Sequence, residues 1–202
     1  MSSSHTGLRT TVVALRSMAI LTLVLGVAYP LVVTGLGAVL LPGRAGGSTL
    51  EVAGAVVGSS LIGQSFTDPD GNPLPEYFQS RPSAAGDGYD GAGSSGSNLG
   101  PENPDLIAAI EERQLQVADF NGVDVDAIPP DAVTASSSGL DPHISPEYAR
   151  LQTARVAATR SLPEAEVKEL VEASIAIRDL GFLGEDTVNV LELNVALDDL
   201  EG

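Results

Sequence analysis

The chain has 202 residues, 43% of them apolar, and no cysteine. This suits one ordinary domain plus an appendage, and it excludes disulfides, thiolate metal sites, a cysteine nucleophile and a cysteine-linked lipid anchor. The formal net charge is −17; all 27 acidic residues lie from Glu51 onward, and only Arg9 and Arg16 among the ten basic residues precede Arg44. Such an acidic surface repels nucleic acid and anionic headgroups and draws cations weakly, with solubility as its plain purpose.

Residues 17–43, SMAILTLVLGVAYPLVVTGLGAVLLPG, carry no charge. As a helix they reach about 40 Å at ~1.5 Å per residue, enough for a hydrocarbon core of ~30 Å. Pro30 predicts a mid-span kink. A cleaved signal peptide has an apolar stretch of about 7–15 residues and a small-x-small cleavage site. This run is nearly twice as long and no A-x-A closes it, so it reads as a retained anchor. Arg9 and Arg16 flank one side and Arg44 alone the other, which places the N-terminus in the cytoplasm. The expected organisation is a cytoplasmic segment 1–16, a transmembrane helix 17–43 and an extracytoplasmic domain 44–202, in a single-pass protein of the cell membrane.

Residues 50–57 (LEVAGAVV) read as one strand interrupted by Gly54. DPDGNPLP, from Asp68, is turn chemistry without the spacing of a calcium loop. Asn103-Pro104 opens a first helix, with Leu106, Ile107, Ile110 and Val117 as its buried stripe and Asn121-Gly122 as its stop. Ser145-Pro146 opens a second, running through Tyr148, Leu151, Ala154 and Ala158. Leu162-Pro163-Glu164 starts a third, with Val167, Leu170, Val171 and Ile175 at helical spacing. TVNV, from Thr187, reads as a strand, and a short helix follows to Leu200. Strands and helices intermingle, so the fold class is α/β: one N-terminal transmembrane helix followed by a small mixed α/β soluble domain.

Site-like motifs fare poorly when tested for context. GDGYDG, from Gly86, matches G-x-G-x-x-G, yet neither a strand before it nor a helix after it is signalled. The only lysine, Lys168, lies in a helical run, which rules out a G-x-x-x-x-G-K-[ST] loop. His143 is the only histidine of the soluble part, too few for a metal site. Asp141, His143 and a serine make no triad without a G-x-S-x-G elbow. No catalytic residue and no metal ligand is assigned.

The stretch 80–104, SRPSAAGDGYDGAGSSGSNLGPENP, has the composition of a linker. It also carries Arg81, Tyr89, Asn98 and Leu99 as anchors, with Pro82, Pro101 and Pro104 as stiffeners. Arg81 can fork onto a carboxylate, and Asn and Asp fasten turns through their own side chains. The expectation is an ordered loop that presents a surface.

Seven blocks occur in an order that resembles a known family: YPLVVTG (from Tyr29), GSSLIGQSF (Gly58), YFQSRPSA (Tyr77), GSNLGPENP (Gly96), DAVTASSSGLDPHIS (Asp131), QTARVAATR (Gln152) and VNVLELNVALDDL (Val188). The chain resembles the C subunit of the Kdp potassium-transporting P-type ATPase over nearly its whole length. The resemblance implies a non-catalytic accessory subunit of an ATP-driven potassium uptake pump, needed for assembly and activity. Its implied partners are a channel-like potassium-binding subunit and a P-type ATP-hydrolysing subunit.

The resemblance also implies a catalytic chaperone that raises the ATP affinity of the hydrolysing subunit through Ser/Gly/Gln residues. Those carry over to Ser94, Ser95, Gly96, Ser97 and Asn98, without the Gln. No cofactor is expected to be bound firmly by this chain, and ATP only through the complex. DPDGNPLPE departs from the family pattern and has no assigned role. ATP is cytoplasmic, however, while the Arg bias puts the domain outside. The preferred reading is therefore an outer cap over the channel-like subunit, with any effect on ATP travelling through the membrane as a coupling free energy. Partner contacts are expected at Gly26, Gly35 and Gly37 of the span, which allow close helix packing, and at Arg81, Tyr89 and Asn98 of the loop. A stand-alone anchored domain with an acidic binding face is the third reading.

Overall fold

The computed structural model describes residues 3–200; Met1, Ser2, Glu201 and Gly202, the outermost residues of the expected terminal segments, lie outside the described residues. The chain divides into two compact units, Met1–Ser48 and Thr49–Gly202.

The first unit is helical. Helix α1 covers Ser3–Leu23, a π-helical turn covers Val24–Ala28, helix α2 covers Tyr29–Leu40, and the single turn α3 covers Pro42–Ala45. Gly7–Leu40 is long and apolar enough to cross a membrane, with a mean hydropathy of 2.2. The helix begins well before residue 17, so Arg9 and Arg16 sit on it. At Pro30 the ladder widens: the Tyr29 N–H bonds the Val24 carbonyl, five residues back. Proline has no N–H, and its ring crowds the carbonyl four residues before it, here that of Gly26. A π turn just upstream absorbs this.

The second unit is mixed α/β. Strands β1 (Thr49–Val52) and β2 (Ala55–Ser59) form an antiparallel hairpin. This corrects the expected single strand: Ala53 and Gly54 have φ of 50° and 82°, the positive pair that a two-residue hairpin turn requires. Helix α4 is Pro104–Asn121; Asn103 caps it by accepting the Asp105 N–H at 2.8 Å, and left-handed Gly122 ends it. Strand β3 is His143–Ile144, α5 is Pro146–Arg160, α6 is Glu164–Ala173, β4 is Ile175–Ala176, β5 is Thr187–Asn189 and α7 is Val190–Asp199. The second sheet has the order β3-β5-β4, antiparallel throughout, with Ile144 and Ile175 flanking Val188.

Helices α5, α6 and α7 enclose the core with this sheet. Val156, Ala157, Val167, Val171, Val188, Leu193, Leu197 and Phe78 are all buried in it. Each fully buried Val, Leu or Phe contributes about 1.5–3 kcal/mol.

Three sequence expectations need correction. Ile175 belongs to β4, because α6 ends before it. On α4, Leu106, Ile110 and Val117 are half-buried but Ile107 is exposed. On α5 the buried face is Tyr148, Ala149, Gln152, Thr153, Val156 and Ala157, while Ala154 and Ala158 face solvent. Apolar spacing pointed to the wrong face of α5 because two polar residues, Gln152 and Thr153, lie on the inner one.

Candidate docking surface

The segment 77–81 runs through the middle of the second unit with no strand beside it. Its backbone groups are paired by side chains instead. Asn194 of α7 accepts the Phe78 N–H and donates to the Phe78 carbonyl, both at 2.9 Å. Gln152 of α5 accepts the Gln79 N–H at 2.7 Å and donates to the Gln79 carbonyl at 3.1 Å. Buried backbone groups must find partners, and here two amide side chains do what a neighbouring strand would do. Sequence reading missed both residues; for Asn194 the available signal was an amide among the apolar Val190, Leu193 and Leu197 of α7, whereas Gln152 sits beside Thr153 and gave no such contrast.

Arg155 and Arg160 lock the outer side of the same segment. The Arg155 guanidinium donates to the carbonyls of Pro75 and Tyr77, to Gln152 Oε1 at 2.8 Å and to Asn121 Oδ1 at 2.9 Å, and it stacks 4.4 Å from the Phe120 ring centre. Burial pulls its pKa down to about 10. Arg160 donates to the Glu76 carbonyl and Asp198, and lies over the Tyr77 ring.

Arg81 meets a carboxylate of its own chain through one donor only, and its fork closes on a backbone carbonyl instead. Its Nη1 donates to Asp141 Oδ2 at 3.1 Å, while Nε and Nη2 both donate to the Thr134 carbonyl at 3.3 Å. Asp141 also accepts the His143 N–H at 3.0 Å, and His143 Nδ1 stands 3.3 Å from it. Burial opposes the charge on Asp141; the His143 hydrogen bonds and Arg81 outweigh it and hold the carboxyl below its usual range. The Tyr89 hydroxyl donates to the Arg81 carbonyl at 2.8 Å, and burial pushes its pKa up to about 12.

The Gly-rich stretch is bolted to the segment 137–140. The Ser83 hydroxyl donates to the Gly139 carbonyl at 2.6 Å and accepts the N–H groups of Ala85 and Tyr89. The Ser95 N–H and the Ser94 hydroxyl both donate to the Ser138 carbonyl. A Cβ on Gly139, whose φ is +67°, would stand 2.5 Å from the Ser95 carbonyl oxygen. The composition of a linker thus serves close backbone approach.

Gly96 lies against Ser137, and its carbonyl accepts from the Ser95 hydroxyl and the Asn98 amide. Ser97 and Asn98 are exposed, with Asn98 left-handed at φ 53°. Of the five residues, Ser94 and Ser95 are tied to Ser138, and the chain turns at Asn98. The next helix begins only at Pro104, so GDGYDG is not followed by the helix N-terminus that holds a pyrophosphate.

In the span, a Cβ on Gly35 would meet nothing within 4 Å, one on Gly26 would meet only Thr22 at 3.8 Å, and one on Gly37 only Ala45 at 4.0 Å. In DPDGNPLPE only residues 68–72 close on themselves: Asp68 accepts the N–H groups of Asp70 and Asn72 and the Asn72 amide, while the Pro75 and Glu76 carbonyls accept from Arg155 and Arg160. Ser145, the cap of α5, is itself held by Asp131, which accepts both its N–H at 2.7 Å and its hydroxyl at 2.8 Å.

The architecture is thus one apolar helix long enough to cross a membrane, followed in sequence by a small α/β domain whose loops are pinned. The family described as K+-transporting ATPase, c chain, matches residues 11–199. A protein of Kineococcus radiotolerans named potassium-transporting ATPase KdpC subunit is 56% identical over 173 residues, which is 86% of this chain and 85% of the relative. Relatives of the same name from Beijerinckia indica and Mycobacterium bovis are 50% and 49% identical, over 90% and 93% of this chain and 89% and 96% of their own lengths. The chain belongs to the KdpC family, the c chains of potassium-transporting ATPases.

Proposed function

We propose that the chain is a non-catalytic accessory subunit of an ATP-driven potassium uptake pump, needed for its assembly and activity. Its domain lies outside the cytoplasm and docks on the channel-like subunit. The transmembrane part packs through Gly26, Gly35 and Gly37 against that subunit's helices. The N-terminus is cytoplasmic, with Arg9 and Arg16 reaching back toward the headgroups. An ATP-hydrolysing subunit completes the complex, and effects on its nucleotide affinity pass through the membrane.

The observation that carries this reading is the anchoring of the 80–104 stretch. The Ser83 and Ser94 hydroxyls and the Ser95 N–H tie it to Gly139 and Ser138, and Ala85 and Asp90 close its turns. Such anchoring suits a preformed docking surface, and an external domain, away from cytoplasmic ATP, favours the accessory role over direct nucleotide binding by Ser94–Asn98.

Because the chain has no cysteine, a Ser95→Cys variant gives a single reporter. Labelling with a membrane-impermeant maleimide on intact cells is the test. Rapid modification supports the external domain. Modification only after the cells are opened sinks it and favours the nucleotide-binding chaperone. Purification in mild detergent without any larger pump subunit favours the stand-alone acidic domain.

A further inference from the structure

Strands β4 and β5 pair through only two residues each, Ile175 with Val188 and Ala176 with Thr187. Ten residues join them, and they carry an apolar group that the core does not use. Ile177, Leu180, Phe182 and Leu183 are 79%, 81%, 71% and 50% exposed. Of the four phenylalanines, Phe78 is buried, Phe66 packs on the core and Phe120 lies under Arg155. Only Phe182 stands in solvent.

The loop has a defined shape. The N–H groups of Phe182 and Leu183 both donate to the Asp179 carbonyl, at 3.2 and 2.9 Å, and the Gly181 N–H donates to the Arg178 carbonyl at 3.2 Å. At its base Asp186 accepts the Arg178 N–H at 3.0 Å and pairs with the guanidinium at 3.5 Å. Leu180 is held left-handed at φ 53°, a conformation a leucine adopts only under constraint. An ordered loop that strains a leucine and holds four large apolar side chains in water gains nothing from this within its own chain.

The surroundings are acidic. Asp179, Glu185 and Asp186 flank the apolar tip. The cleft that the loop itself lines, through Gly184, holds Glu147, Glu185 and Asp186 with Arg150 and Arg178, which are paired with Glu172 and Asp186; the adjoining cleft of about 590 Å³ holds Asp131, Asp141, Glu147, Glu185 and Asp186 against one guanidinium, Arg81. This charge repels an anionic bilayer surface. It also disfavours a second copy of the chain, whose own surface is strongly acidic.

Resting on the accessory-subunit reading, we infer that the 177–184 loop is the docking finger of the domain, and that its receiver is the extracytoplasmic face of the channel-like subunit, at an apolar socket rimmed by lysine or arginine. The apolar tip supplies the anchors and the acidic border selects the partner.

The test uses the full chain, tagged and produced together with its pump subunits. The Leu180→Ser/Phe182→Ser double variant should retain at most about a tenth of the pump subunits kept by the wild type after mild-detergent purification, with those subunits identified by mass spectrometry. Its thermal unfolding should match the wild type, because neither side chain is part of the core. Asp179→Lys with Glu185→Lys should weaken retention, and raised salt should weaken it for the wild type. Full retention by the double serine variant overturns the inference alone. A wild-type chain that retains no pump subunit overturns the parent reading and the finger with it.

A photo-crosslinking amino acid in place of Phe182 gives a second readout that does not depend on the double variant folding. Crosslinks to the channel-like subunit support the finger. Crosslinks only to the ATP-hydrolysing subunit, to lipid or to another copy of this chain overturn it.

Discussion

Asn194 closes both backbone hydrogen bonds of Phe78, across 116 residues of sequence and with both residues buried. The Phe78 ring fills the core while its amide and carbonyl are satisfied from α7. This pair, with Gln152 on Gln79, fastens the segment from which Arg81 and the Gly-rich stretch depart.

Asn194→Leu keeps much of the side-chain volume and leaves two buried backbone groups unpaired. The expected loss is about 2–6 kcal/mol, at roughly 1–3 kcal/mol per orphaned group. Thermal unfolding of the full chain in detergent measures it. A melting temperature equal to that of the wild type would mean that water takes over the role of the amide.

Gly139→Ala places a Cβ 2.5 Å from the Ser95 carbonyl oxygen and 2.8 Å from Ala85, at a backbone conformation with φ +67°. The neighbours are mostly backbone and cannot give way cheaply. The cost should be about 2–4 kcal/mol, with the 86–98 stretch becoming sensitive to limited proteolysis. Gly100→Ala, where an added Cβ meets nothing within 4 Å, should leave both readouts unchanged.

Arg81→Ala removes two donors from the Thr134 carbonyl and the ion pair from Asp141. It should cost about 1–3 kcal/mol of domain stability. Arg81→Lys should recover only part, because a single ammonium cannot span both partners as the planar fork does. Equal melting temperatures for wild type and both variants would refute the clamp.

Asp141 has a folded pKa below its unfolded value of about 4. Its ionised form therefore stabilises the fold above that value, and the contribution disappears as pH falls through the lower folded pKa. The gap in melting temperature between wild type and Asp141→Asn should be full at pH 6 and shrink steadily below about pH 4. A gap that stays constant across this acid range would show that the carboxylate charge plays no part.

Much of the architecture was legible because its causes are local. An uncharged run of 27 residues marks a span-length helix whatever surrounds it. Asn103 before Pro104 and Ser145 before Pro146 are capping chemistry that acts within one turn, and both helices begin there. The family blocks followed from residue order alone. Three-dimensional packing decided the rest. The inner face of α5 carries Gln152 and Thr153 because a backbone segment 73 residues away needs an amide partner, a demand no local pattern reveals. The Gly-rich stretch became a fixed surface because Ser138 and Gly139 lie against it, and Arg81 turned inward because Asp141 was within reach. Helix starts and a membrane span depend on neighbours in sequence; the partner of a buried polar group, and the side chains left over in solvent such as Phe182, depend on which distant segments the closed chain brings together.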